Sequence, residues 1–200
     1  MSAARAQRAL DPRIERSRRV ILEAALEELA AVGYGAFAIE SVAARAGVGK
    51  STIYRLWPDR VALIADAFAT MHRELDPDIT TGTPRAKIER ILRHVAEIAG
   101  PPSLFARCIP AVIEGAERDR SLRRFHHRFQ AEARQPLIAL IVEGRAAGDF
   151  RADLDPELAA LALLGAIFFR RLMTAEPFDP NRARELVDTV LGGPAILPKN

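Results

Sequence analysis

Residues 40–59 read Glu40-Ser-Val-Ala-Ala-Arg-Ala-Gly-Val-Gly-Lys-Ser-Thr-Ile-Tyr-Arg-Leu-Trp-Pro-Asp59, and this stretch decides the fold. The spacing of Val42, Ala43 and Ala46 predicts a short helix over Ile39 to Ala46 with one buried face. Gly47 then permits a sharp bend that a residue with a Cβ resists. Val48, Ile53 and Leu56 are the apolar anchors beyond the bend. That leaves Lys50, Ser51, Thr52, Tyr54 and Arg55 facing outward on a second helix. One helix that braces and a second that presents a polar face make a helix-turn-helix, whose second helix lies in the DNA major groove.

Two other readings compete for the same residues. Gly49-Lys50-Ser51-Thr52 looks like the end of a nucleotide-binding loop, which would make the chain an enzyme. That loop needs a glycine where Ala44 stands and a strand just upstream, where Ser41 to Ala46 favours helix. A helical hairpin that binds nothing does not account for an outward face of Lys, Ser, Thr, Tyr and Arg without an acid.

The distribution of charge agrees with a DNA-binding N-terminus. The net charge over 200 residues is only +3. Residues 1–60 hold 10 Lys+Arg against 7 Asp+Glu, and the remainder carries 19 of each. Arg5, Arg8, Arg13, Arg16, Arg18 and Arg19 crowd the first segment, which suits a phosphate backbone or a minor groove. Cys108 is the single cysteine, so an internal disulfide framework is excluded and a reducing compartment fits. No apolar signal segment opens the chain. The longest apolar run, Leu158 to Phe169, is shorter than the roughly 20 residues that span a bilayer. A cytoplasmic protein with no membrane partner is therefore expected.

Nothing in the chain reads as a strand, and apolar residues recur at steps of three and four. Ile21, Ala25, Leu29 and Val32 form a first stripe, ended by Gly33 and Gly35. After the hairpin, a fourth helix should run from Asp59, its cap, to about Leu75, where Asp76-Pro77 stops it. A polar linker, Thr80 to Pro84, precedes a helix with Ile88, Ile91, Leu92, Val95 and Ile98 on one face. Ser103 should cap the next, which Pro110 interrupts. A long helix should span Asp119 to Ala147, through Pro136, and end at Gly148-Asp149-Phe150. Asp155-Pro156 and Asp179-Pro180 each pair a cap with a first-turn proline and open two more helices. The last of these should stop at Gly192-Gly193-Pro194. The expectation is an all-α protein of about nine helices. It would comprise a basic flexible arm (1–12), a helix-turn-helix domain (13–58), a connecting helix (59–76) and a larger helical domain (77–200).

Residues Arg18 to Ala67 resemble the tetracycline-repressor (TetR-type) family of bacterial transcription regulators. The resemblance rests on Ile21-Leu22-Glu23-Ala24-Ala25, on Gly33-Tyr34, on Ala43 to Ser51, on Thr52 to Asp59 and on Ala62-Leu63. The remainder is similar to one C-terminal type of the family, through Gly148-Asp149-Phe150-Arg151, Asp153-Leu154-Asp155-Pro156 and Glu176 to Pro180. The resemblance implies an all-α homodimer, a small-molecule effector pocket in the larger domain, and a palindromic operator that is usually repressed. The chain departs from the family at two caps. Ala38 stands where a hydroxyl residue commonly opens the first hairpin helix, and Gly49 stands where a Ser often opens the second.

On the DNA face, Arg55 suits a guanine edge, because a guanidinium can meet two acceptors there. Lys50 can reach a phosphate or a guanine. Ser51 and Thr52 suit phosphate oxygens or a thymine methyl, and Tyr54 suits a phosphate. Arg60, at the start of the fourth helix, and Arg18 complete the candidates, although Arg60 can equally form a surface ion pair. Trp57 reads as hairpin core.

Leu158 to Phe169 is apolar all round, so it must bury more than one face. Leu158, Leu161, Ala162, Gly165 and Phe169, with Leu186, Val187 and Val190 of the final helix, are the candidate half of a four-helix dimer interface. Family-like placement makes Phe68, Met71, His72, Leu92, Val95, Phe105, Cys108, Ile109, Val112 and Phe129 the candidate lining of an effector pocket for an apolar or aromatic molecule. A regulator of the same fold with no effector, whose larger domain only dimerises, is the alternative. No metal or other cofactor is expected. His126 and His127 are adjacent and point about 100° apart, and Cys108 reads as a small buried hydrophobe. The expected partners are duplex operator DNA, a second copy of the chain and the effector.

Overall fold

The structure, a computed structural model, describes residues 12–74 and 77–192. Among them are nine α-helices, one 3-10 turn and no strand. The helices are α1 (Pro12–Ala36), α2 (Ile39–Ala46), α3 (Lys50–Leu56), α4 (Arg60–Glu74), α5 (Pro84–Ala99), α6 (Leu104–Arg118), α7 (Arg120–Ala146), α8 (Pro156–Met173) and α9 (Ala183–Leu191), with the turn Pro180–Arg182 leading into α9. The all-α expectation holds. The basic arm lies outside the described residues save for Pro12, where α1 begins. Asp76 of the expected Asp76-Pro77 stop and the closing Gly193-Pro194 also fall outside them.

Local chemistry sets most of the boundaries. Asp59 Oδ1 accepts the Ala62 N–H at 2.8 Å and starts α4. Thr83 caps α5 from the position before Pro84. Asp119 accepts from the N–H groups of Ser121 and Leu122, Asp155 from Leu158, and Asp179 from Asn181. Each carboxylate satisfies donors that a helix start leaves orphaned. Ser103 occupies the cap position of α6 but makes no side-chain cap, contrary to the expectation. Gly33 breaks the helical path of α1 with φ +73°. Val32, assigned to the first apolar stripe, is 43% exposed, and Tyr34, beyond the break at Gly33, is buried in its place.

Two apolar cores result. The first joins Ile21, Leu29, Ile53, Trp57, Leu63 and Phe68 to Phe105, Cys108, Val112 and Leu122. It therefore runs from the hairpin through α1 and α4 into α6 and the start of α7. The second is built from α5, α7, α8 and α9 around Ile88, Leu92, Ile141, Leu163, Ile167 and Val187. α6 lies along α1 in the same direction: Cys108 Sγ sits 3.4 Å from the Leu26 carbonyl, and Gly115 lies against Tyr34. A Cβ at Gly115 would stand 2.4 Å from Leu122 Cδ2 and 2.7 Å from Tyr34 Cγ, so only glycine permits this approach. The hairpin and part of the larger domain thus share one close-packed interior, in which a displacement on one side is felt on the other.

Candidate nucleic-acid interface

The hairpin is held from beneath. Ile39, Val42 and Ala43 of α2 and Ile53 of α3 are buried. Gly47 takes φ +66°, and its N–H meets the carbonyls of Ala43 and Ala44. Trp57 is buried as expected, and its indole N–H donates to Asp66 Oδ2 at 2.8 Å. Asp66 also receives Arg18 Nη2 at 2.7 and 2.6 Å. Arg18, expected on the DNA face, is instead half of this ion pair. Asp66 stands in the second turn of α4 and so ties α1 and the end of the hairpin to α4. Arg45 clamps the other side, reaching Glu27 and the buried Glu28 at 3.3 Å each.

Held in this way, α3 turns Lys50, Ser51, Tyr54 and Arg55 into solvent, with Thr52 half-buried. Tyr54 is 51% exposed despite its ring. Arg55 has no ion pair among the described residues. Lys50 does have one: its Nζ lies 3.0 Å from Glu40 Oε1, so an acid does border this face. That hydrogen bond raises the Lys50 pKa and lowers that of Glu40. Both groups are exposed, so the pair is weak and a phosphate can replace the carboxylate. Neither Ala38 nor Gly49 offers a side-chain cap, which leaves the first N–H groups of α2 and α3 open. Gly49 follows a helix, not a strand, so the architecture of a nucleotide-binding loop is missing there.

Arg60 forms no ion pair of salt-bridge length among the described residues. Its guanidinium carbon lies 4.5 Å from the centre of the Tyr34 ring, a cation–π arrangement. The Tyr34 hydroxyl in turn donates to Asp119 Oδ2 at 2.7 Å. The start of α4, the end of α1 and the start of α7 are joined at this one point.

The candidate effector residues divide among several places. Phe68, Phe105, Ile109 and Val112 line one apolar cavity of about 220 Å3 between α4, α6, α7 and α8. Ile113, His126, Gln130, Phe168 and Leu172 complete it and were missed from sequence. The spacing of His126 and Gln130, one turn apart on a helix, was the available signal. Their Nε2 atoms lie 3.4 Å apart, and burial holds the His126 pKa below its usual value. Val95 and His72 line a second hollow of about 210 Å3 beside Ile91 and Leu137. Phe129 and His72 border a third. Phe68 and His72 of α4 each stack or edge against Phe105 and Phe129 with ring centres 4.9–6.0 Å apart, beside these hollows. Met71 faces a charged surface groove edged by Arg16, Arg18, Arg19 and Glu23. Leu92 and Cys108 have no exposure: both are packed as core, because each points from its helix into a neighbouring one. Burial drives the Cys108 thiol up to about 12.

α8 has two faces of different fate. Ala159, Ala160, Leu163 and Ile167 are buried in the chain's own core. Leu158, Leu161, Phe169 and Met173 are 46–71% exposed, and Ala162 and Gly165 lie in the same stripe. Leu186 and Val190 of α9 are half-buried, whereas Val187 has no exposure and belongs to the second core. Its place on α9, facing α5 and α8, removes it from the interface candidates. Among the described residues no helix is long and apolar enough to cross a membrane, and no group of three His, Cys, Asp or Glu could hold a metal.

Comparison with known proteins agrees with this geometry. Residues 21–67 match the profile of bacterial regulatory proteins, tetR family, and residues 77–190 match the tetracyclin repressor-like C-terminal domain. The chain is 29% identical over 184 residues to the HTH-type transcriptional regulator YdeS of Bacillus subtilis, with 91% of each chain covered. It is 31% identical over 176 residues to the DNA-binding transcriptional repressor TetR of Mycobacteroides abscessus, covering 86% of this chain and 90% of that one. Among solved structures, the TetR family transcription regulator SCO0332 superposes with a TM-score of 0.67 at 28% identity, over 92% of this chain and 100% of that one. The fold is also that of FadR from Bacillus subtilis in complex with stearoyl-CoA, with a TM-score of 0.70 at 19% identity, covering 88% and 98%. These relatives are transcription regulators, not enzymes.

Proposed function

This chain belongs to the tetR family of DNA-binding transcriptional regulators, and we propose that it acts there as a dimeric repressor released by a small apolar molecule. The observation that carries the proposal is the course of α4. Its first residues follow the recognition helix and hold Arg60 against Tyr34, and two turns later Phe68 lines the apolar cavity. One rigid element therefore borders both the DNA-binding unit and the space a ligand would fill.

In the resting state α3 enters the major groove. Arg55 reads a base edge, while Lys50, Ser51, Thr52 and Tyr54 fix the register on phosphates. The exposed stripe of α8, with Leu186 and Val190, pairs with its copy across a two-fold axis, so two recognition helices meet a near-palindrome. An exposed run of Leu158, Leu161, Phe169 and Met173 is costly in water, which supports a permanent partner there.

The effector is compact. A cavity of about 220 Å3 lies below the roughly 300–1,000 Å3 typical of drug-sized sites. Its apolar walls accept a hydrocarbon or aromatic body, and His126 and Gln130 offer one polar anchor. A ligand wedged between α4 and α7 favours a state in which α4 is tilted and the recognition helices no longer match their half-sites. Its effect equals its differential affinity for the two states, typically about 1–3 kcal/mol. The test is reciprocity. After an operator has been selected, screening small apolar and aromatic compounds should yield one that weakens operator binding, and operator should weaken its binding by the same factor. A compound that binds equally with and without operator is not the effector. If no compound that fills the cavity changes operator binding, the larger domain only dimerises.

A further inference from the structure

The first half of α7 carries a charged stripe for which the function proposed above has no use. Arg120, Arg123, Arg124, His127 and Arg128 recur at steps of three and four and share one helix face. All five are exposed. The opposite face buries Leu122 and packs Phe125 and Phe129 on the first core. No acid stands between Asp119 and Glu132. Asp119 is already engaged by Tyr34 and by the N–H groups of Ser121 and Leu122.

Most of this positive charge is uncompensated. Arg123 is held, with its Nε and Nη2 donating to the carbonyls of Ala116 and Glu117 at 2.8 and 2.6 Å and the Glu117 carboxylate 4.0 Å away. Among the described residues Arg124 reaches only the Ser121 hydroxyl. Arg120 and Arg128 have no ion pair among the described residues. Like charges gathered at this density repel one another and attract a polyanion, whose condensed counterions are released on contact.

The position of the stripe identifies the polyanion. Because α6 runs along α1 in the same direction, the α6–α7 junction sits at the end of α1 that leads into the hairpin. Asp119 touches Tyr34, and Tyr34 lies under Arg60 at the start of α4. The stripe begins one residue after Asp119, beside that junction.

We propose that this face of α7 is a second, sequence-independent DNA-binding surface, on which Arg120, Arg124 and Arg128 meet phosphates of the duplex flanking the sequence read by α3. The proposal rests on the DNA-binding reading of the hairpin and adds a partner surface to it. The surface extends the footprint and its salt dependence without changing the preferred sequence.

The test compares three full-length proteins: wild type, the triple variant Arg120→Ala, Arg124→Ala, Arg128→Ala, and the triple variant with lysine at the same three positions. Arg123 is left intact because it ties down the end of α6. Each protein is titrated against two duplexes, the selected operator alone and the same operator with about ten base pairs added on each side, one helical turn, over a range of salt concentrations. On the long duplex the alanine triple should bind about tenfold more weakly at low salt, with a log–log salt slope shallower by up to about 3. The lysine triple should behave as wild type, since a phosphate accepts either cation. On the short duplex all three should bind alike, with the same preferred sequence. An alanine triple that matches wild type on the long duplex overturns the proposal, as does an equal loss on both duplexes. A wild-type protein that binds neither duplex overturns the hairpin reading as well, so the two failures are distinguishable.

Discussion

The Tyr34 hydroxyl donates to Asp119 Oδ2 across 2.7 Å, and this hydrogen bond joins the last turn of α1 to the first turn of α7. Burial, together with the hydrogen bond to Asp119, raises the Tyr34 pKa, and the same bond lowers that of Asp119. The contact lies where Gly115 lets α6 approach and where Arg60 covers the tyrosine ring. Through Tyr34 it ties the α6–α7 junction to Arg60 at the start of α4.

Replacing Tyr34 with Phe should keep the ring packing and remove this link. The loss of stability should be modest, about 0.5–1.5 kcal/mol, since Asp119 still caps α7. Operator affinity should change little, while the factor by which an effector weakens operator binding should fall. Thermal melts and operator titrations with and without effector measure the two effects separately. An unchanged factor removes Tyr34–Asp119 from the signalling route.

The link has a defined pH range. Asp119 has a depressed folded-state pKa, so its contribution is present above the ordinary carboxylate value of about 3.9 and is lost as pH falls through the folded value. Tyr34 has a raised one, so its contribution is present below the ordinary tyrosine value of about 10 and is lost as pH rises through its folded value. Coupling should therefore be flat between about pH 5 and 9 in wild type, as far as this pair governs it. Stability should begin to fall below about pH 4, and less steeply in Tyr34→Phe. Equal acid slopes in the two proteins would show that the pair contributes nothing.

On the DNA face, Arg55→Ala should cost about 1–3 kcal/mol and relax the preference at the base it reads. Lys50→Ala should weaken binding evenly across sequences and reduce the salt slope by about 1. Selection of duplexes by each variant distinguishes the roles. An unchanged preferred sequence for Arg55→Ala contradicts base reading by that residue.

Ala162 is exposed in the single chain and lies midway along the apolar stripe of α8. Ala162→Glu should leave the fold intact, because the carboxylate is solvated in the monomer, and should dissociate the dimer, because there it would be buried unpaired. Sedimentation at micromolar concentration should show a folded monomer that no longer holds the operator. Dimers at wild-type affinity would place the interface elsewhere.

The hairpin was legible because its chemistry is local. Gly47, the anchors Val42 and Ile53, and the outward Lys50, Tyr54 and Arg55 are each fixed by neighbours within about two turns, so spacing alone located them. The caps Asp59, Asp155 and Asp179 were legible for the same reason. The misplaced residues depended on partners far along the chain. Arg18 looks free in sequence, but Asp66, 48 residues later, takes it. Leu92, Cys108 and Val187 look like lining or interface, and the packing of other helices makes them core. The cavity was half-legible: Phe68, Phe105, Ile109 and Val112 were found, whereas Phe168 and Leu172 come from α8, whose packing against α7 the sequence does not encode locally.

The central claim is sequence-specific duplex binding by a two-fold dimer, and the most direct measurement is selection from a random duplex pool by the purified full-length protein. The account predicts enrichment of a near-palindrome whose half-sites lie about one helical turn apart or somewhat more, bound by an even number of chains. Enrichment of a single asymmetric half-site bound by one chain, or no enrichment over the starting pool, would contradict it.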